Sequence, residues 1–81
     1  MHEYPVTQQI VKMAEKACID AGAESVRKIT IAAGRYSGFV GESIDMYFNI
    51  ISEGTRCEGA VIEIELAETE KSLYIKEIEV E

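Results

Sequence analysis

Apolar residues recur at spacings of three and four along the first quarter of the chain. Val6, Ile10, Met13, Ala14, Ala17, Cys18 and Ala21 form one stripe, which predicts an amphipathic helix from Pro5 to Ala21. Pro5 suits the first turn, where a missing N–H costs nothing, and Gly22 suits the stop. Val26 to Ala33 is rich in β-branched residues and reads as a strand with Ile29, Ile31 and Ala33 on one face. Val26 is out of phase with that face, so a bulge or a two-sided start is expected near Arg27-Lys28. Gly34 to Gly41 is a glycine-rich loop. Glu42 to Ile51 is a second helix that buries Ile44, Tyr47, Phe48 and Ile51, and Gly54 ends it. Ser52 to Gly59 is a connection. Ala60 to Leu66 alternates, with Ile62, Ile64 and Leu66 inward. Ala67 to Lys71 is polar and can turn. Leu73 to Val80 is the last strand. Its apolar phase slips between Ile75 and Ile78, so a bulge or a change of partner is expected near Lys76-Glu77.

The order is therefore helix, strand, helix, strand, strand. A helix between the first two strands favours a right-handed parallel crossover, and the last two strands are expected to form a hairpin. The expected fold is α+β, with two layers. Two helices pack on one face of a three-stranded mixed sheet, and the other face is mostly charged.

Composition narrows the class. A chain of 81 residues makes one domain with a thin core, because so short a chain buries only about 60–65% of its unfolded surface. Apolar residues make up 47% and are periodic, which argues against disorder. No run of 18 apolar residues is present, so no membrane span is expected. The start lacks a basic region followed by an apolar stretch, so no signal peptide is expected and the cytoplasm is the expected compartment. Cys18 falls on the helical stripe and reads as a buried small hydrophobe. Cys57 falls in a loop and reads as a free thiol. The two form no C-x-x-C motif.

The net charge is −7 and is unevenly placed: residues 1–57 carry seven acids and six bases, residues 58–81 eight acids and two bases. No basic face is available to neutralise phosphates, which argues against nucleic acid as a partner. The acidic end reads as a solvated strand surface or as a face for a basic partner.

The candidate chemistry lies at the start, Met1-His2-Glu3, where His2 is the only histidine in the chain. A bulky second residue favours retention of Met1. Three nitrogens can then converge: the Met1 amine, the His2 backbone nitrogen and His2 Nδ1. The Glu3 backbone nitrogen or its carboxylate can take a fourth position. Such planar nitrogen coordination suits Ni(II) or Cu(II), whereas a tetrahedral zinc site needs thiolates or more imidazoles. The alternative is an ordinary histidine on a frayed terminus.

The middle of the chain carries a resemblance. Gly34-Arg35-Tyr36-Ser37-Gly38-Phe39-Val40 is followed by Glu42-Ser43-Ile44, Phe48, Gly54-Thr55 and Glu58-Gly59-Ala60, and the chain closes on Leu73-Tyr74-Ile75-Lys76-Glu77-Ile78-Glu79-Val80-Glu81. With the opening Met-His-Glu, this order resembles the HypA family of nickel-insertion accessory proteins for hydrogenase and, in some organisms, urease. The resemblance covers nearly the whole chain. It implies transient Ni(II) binding by Met1, His2 and Glu3. It also implies partnership with a nickel-handling GTPase of the HypB type and with the hydrogenase large subunit, with a homodimer left open.

One departure is large. The family normally carries a zinc module with paired C-x-x-C motifs between the last two strands, and here only Ala67-Glu68-Thr69-Glu70-Lys71-Ser72 separates Leu66 from Leu73. The chain is thus expected to be a single nickel-binding-type domain over residues 1–81. The zinc module is absent, a short turn stands at 67–72 and no zinc is expected. Arg35 stands where the family often has an acid, and no second histidine is available. The competing reading is a metal-free adaptor that docks on a hydrogenase-type subunit or on the GTPase. No nucleophile–base pair or phosphate cradle is present, and the glycines at 34, 38 and 41 lack G-x-G-x-x-G spacing, so no enzyme is expected.

Overall fold

Two helices lie on one face of a three-stranded sheet in the computed structural model, which describes residues 3–34, 41–67 and 73–81. Met1, His2, the glycine loop over 35–40 and the turn over 68–72 fall outside the described residues. The elements run α1 (Glu3–Asp20), β1 (Val26–Gly34), α2 (Gly41–Ile51), β2 (Val61–Ala67) and β3 (Leu73–Val80).

Helix α1 starts two residues earlier than Pro5 and buries a rotated stripe: Glu3, Thr7, Ile10, Val11, Ala14 and Cys18. Met13, expected inside, is 56% exposed, and Ala21 is also exposed. Thr7 takes an inward place because its hydroxyl is satisfied within the helix, donating to the Glu3 carbonyl at 2.5 Å. A polar residue whose hydrogen bond is met locally can be buried at little cost. Gly22 ends the helix as expected. The Ala23 N–H donates to Cys18 O at 3.0 Å and the Gly22 N–H to Ile19 O at 2.9 Å, with Gly22 at φ 70°. This closing pattern needs a left-handed residue, which glycine supplies without steric cost.

The sheet order is β2-β1-β3, parallel between β1 and β2 and antiparallel between β1 and β3. The parallel crossover through α2 matches expectation. The hairpin does not: β2 and β3 are not neighbours but flank β1. Charge favours this arrangement. A direct β2–β3 pair would bring Glu63 and Glu65 against Glu77 and Glu79, and like charges across strands are destabilising. The outward positions of β1 are Lys28, Thr30 and Ala32. They tolerate the centre, where Thr30 and Ala32 are buried. Lys28 then reaches Glu63 on β2 at 3.2 Å. Lys76 on β3 spans the central strand to Glu65 on β2 at 2.9 Å.

Both expected irregularities are present as register shifts, one between Val26 and Lys28 and one between Thr30 and Ile31. At the second, Thr30 pairs with Glu77 and Ile31 with Ile75, so Lys76 is the extra residue. The bulge returns Ile78 and Val80 to the face of Leu73 and Ile75, and all four pack on the core. That core centres on Ile10, Ala14, Cys18, Ile29, Ile31, Ile44 and Phe48. Helix α1 packs chiefly on α2 and touches β1 and β3, while α2 touches β2.

Leu66, expected inward, is 65% exposed. Helix α2 begins over Ile64, where a Cβ on Gly41 would sit 3.3 Å from Ile64 Cδ1. Leu66 lies two residues further along the strand, about 6.6 Å beyond that end, so α2 does not cover it.

Candidate metal-binding terminus

The structure places one residue of the tripeptide. Glu3 is the first residue of α1 and only 3% exposed, so it belongs to the body of the domain. Its carbonyl is held by Thr7, itself fully buried. Next to it, Tyr4 meets Tyr47 of α2 edge to face, with ring centroids 5.2 Å apart and planes at 83°. The first contact closes the turn on itself, and the second pins it to α2. A carboxylate in that turn also complements the positive end of the helix dipole and eases approach of a cation. His2 and Met1 are the residues immediately before this anchored turn. Their positions fall outside the described residues, so Glu3 alone of the three is located.

A chelate built from consecutive backbone nitrogens and one imidazole needs no donor from elsewhere in the fold. The described residues contain no group of three His, Cys, Asp or Glu able to hold a metal. The thiols are also withdrawn. Cys18 and Cys57 are free and both fully buried. Cys57 lies in the expected connection, but its side chain points inward, with Sγ 3.8 Å from Val11 O. Burial pushes its thiol up to about 11, against a smaller opposing pull from Thr55. It is therefore protonated at neutral pH and unsuited to bind metal as a thiolate.

The Gly54-to-Ala60 segment is structural. Gly54, at φ 77°, donates its N–H to Glu58 Oε1 at 3.0 Å. Thr55 Oγ1 donates to Ser52 O at 2.7 Å and accepts from the Cys57 N–H at 3.0 Å. The Arg56 N–H donates to Glu15 Oε2 at 2.9 Å, and Arg56 Nη1 donates to Ala23 O and Glu24 O at 3.1 and 3.3 Å. One turn thus clips the end of α1 to the start of β1. Sequence reasoning missed Thr7, the Tyr4–Tyr47 pair and Arg56. The four-residue step from Glu3 to Thr7 was the one available signal, and it was hidden because both residues are polar.

The family model described as hydrogenase/urease nickel incorporation, metallochaperone, hypA, matches residues 1–80. The chain belongs to the HypA family. Among curated relatives, the hydrogenase maturation factor HypA of Dehalococcoides mccartyi (strain CBDB1) is 36% identical over 63 residues, covering 78% of this chain and 53% of that protein. The HypA of Roseiflexus sp. (strain RS-1) is 38% identical over 65 residues, covering 80% of this chain and 53% of that protein. The chain spans about half the length of the curated HypA relatives it matches. The solution structure of the Ni metallochaperone HypA from Helicobacter pylori superposes with a TM-score of 0.87 at 14% identity, over 99% of this chain and 97% of that chain. The HypA fold is therefore shared, and the family match includes the Met1-His2-Glu3 start.

Proposed function

We propose that this chain is a nickel metallochaperone that binds Ni(II) transiently through Met1, His2 and Glu3 and delivers it for [NiFe]-hydrogenase maturation. The observation that carries the reading is the family match over residues 1–80, which takes in the tripeptide. The anchored first turn of α1 supports it. Nickel is the cargo. His2 and the adjacent backbone nitrogens supply planar donors, and Glu3 supplies a fourth donor or orients the others. Few protein ligands at a chain terminus permit release, which a carrier requires and a closed four-ligand site resists.

The reading extends to a single domain over residues 1–81 that carries no zinc. One histidine and two fully buried cysteines, without a C-x-x-C pair, do not make a tetrahedral site. Its proposed partners are a nickel-handling GTPase of the HypB type and the hydrogenase large subunit. Free thiols suit a reducing compartment, so the proposed location is the cytoplasm. The role is transfer, with no bond made or broken in a substrate.

A nickel titration of untagged protein at neutral pH tests this. The expected outcome is one equivalent of Ni(II) and an absorbance band of planar geometry. His2→Ala should abolish the band, and one residue added before Met1 should abolish it equally, since the amine leaves the chelate. Absence of nickel uptake by the untagged chain would leave the metal-free adaptor as the better account.

A further inference from the structure

Strand β3 is an edge of the sheet, and no strand pairs with its outer side among the described residues. An unpaired edge offers a row of backbone donors and acceptors to any extended chain. Along this edge runs a groove of about 390 Å³. Val6, Gln9, Ile10 and Met13 of α1 form one wall, and residues 73–75 of β3 form the other. Met13 is 56% exposed, so apolar surface on the helical wall faces water here.

The opposite side of the same edge is acidic. Lys28 and Lys76, the lysines of the open sheet face, are engaged with Glu63 and Glu65 of β2. Glu77 and Glu79 of β3 share these lysines only at longer range, which leaves the face with four acids, Glu63, Glu65, Glu77 and Glu79, against two lysines. An added strand alternates its side chains between the two faces. Its inward positions would enter the apolar groove beneath α1, and its outward positions would lie beside Glu77 and Glu79.

We infer that the β3 edge binds an extended partner segment that alternates apolar and basic residues. The segment adds to the sheet as a fourth strand, with apolar side chains under α1 and basic ones against Glu77 and Glu79. A second copy of this chain is a poor occupant, because β3 carries Glu77 and Glu79 against one lysine, with Glu81 just beyond, and would meet its own charge. Strand addition of this type takes affinity from main-chain hydrogen bonds and selectivity from alternate side chains. The surface does not depend on the nickel reading, and its test uses metal-free protein.

The probe is a blocked hexapeptide of alternating valine and lysine, titrated into the isotope-labelled full chain and followed by NMR. Its glutamate counterpart is the control. The expected result is a set of amide shifts confined to residues 6–13 and 73–80, with the glutamate peptide binding at least tenfold more weakly. Met13→Lys, at an exposed helical position that lysine tolerates, should weaken the lysine peptide at least tenfold. Glu77→Lys combined with Glu79→Lys should erase the preference for lysine over glutamate. Equal binding of the two peptides, shifts mapping elsewhere, or unchanged affinity in both variants would overturn the proposal. So would a dimer in sedimentation that Met13→Lys dissolves, since the groove would then belong to a second copy.

Discussion

Two neighbouring residues, Arg56 and Cys57, show how one turn divides its work. Arg56 stays at the surface and spends its guanidinium on the carbonyls of Ala23 and Glu24. Charge-assisted bonds of this kind are worth about 1–3 kcal/mol when lost, less at an exposed site. Arg56→Ala should therefore lower stability by about 1 kcal/mol, read as a shifted denaturant midpoint with an unchanged slope. Cys57 goes inward, and burial raises its thiol from an ordinary 9.0 to about 11. A raised value means the folded state holds the proton more tightly than the unfolded chain. The stabilising contribution is complete below about pH 9 and is lost as pH climbs toward about 11. Unfolding midpoints measured across that window should fall. A thiol reagent at pH 8 should label the native protein far more slowly than the denatured chain.

Each helix is held by a different device. Helix α2 is fixed by Ile44 and Phe48, both essentially fully buried. Phe48→Ala should cost about 3–5 kcal/mol, enough to unfold much of so small a domain in calorimetry. The start of α1 meets α2 through one aromatic pair, Tyr4 against Tyr47. Edge-to-face pairs contribute about 0.5–1.5 kcal/mol. Tyr47→Ala should speed hydrogen exchange in the second turn of α1, the first with bonded amides, while leaving the amides near Ala14 protected. All five elements could be read from periodicity and glycine placement, and so could both bulges, because a phase slip in an alternating strand has few other causes. The rotation of α1 could not, since an apolar stripe is blind to a threonine that meets its own hydrogen bond. The β2–β3 hairpin was misread because adjacency in sequence stood in for adjacency in space. The charges on the outward positions held the answer. Of the candidate site, Glu3 alone lies among the described residues, and its burial belongs to the same polar stripe as Thr7. His2 and Met1 rest on chemistry and kinship.

At the scale of the molecule, charge works against compaction. The chain carries 15 acids and 8 bases. Its ion pairs on the open sheet face are solvent-exposed, and such pairs contribute little. Self-repulsion should outweigh them, so raising ionic strength from about 10 to about 150 mM should raise the melting temperature. A fall would show that the ion pairs matter more than the net charge. The strand order also has a mechanical consequence. Ala67 pairs with Gly34 on one side of the central strand, and Leu73 pairs with Ala33 on the other. Any polypeptide grafted between them would stand on two feet, planted about 10 Å apart on opposite flanks of the sheet. Such a mount resists swivelling in a way that a single tether does not, and it lets the graft grow or shrink while the core beneath stays intact.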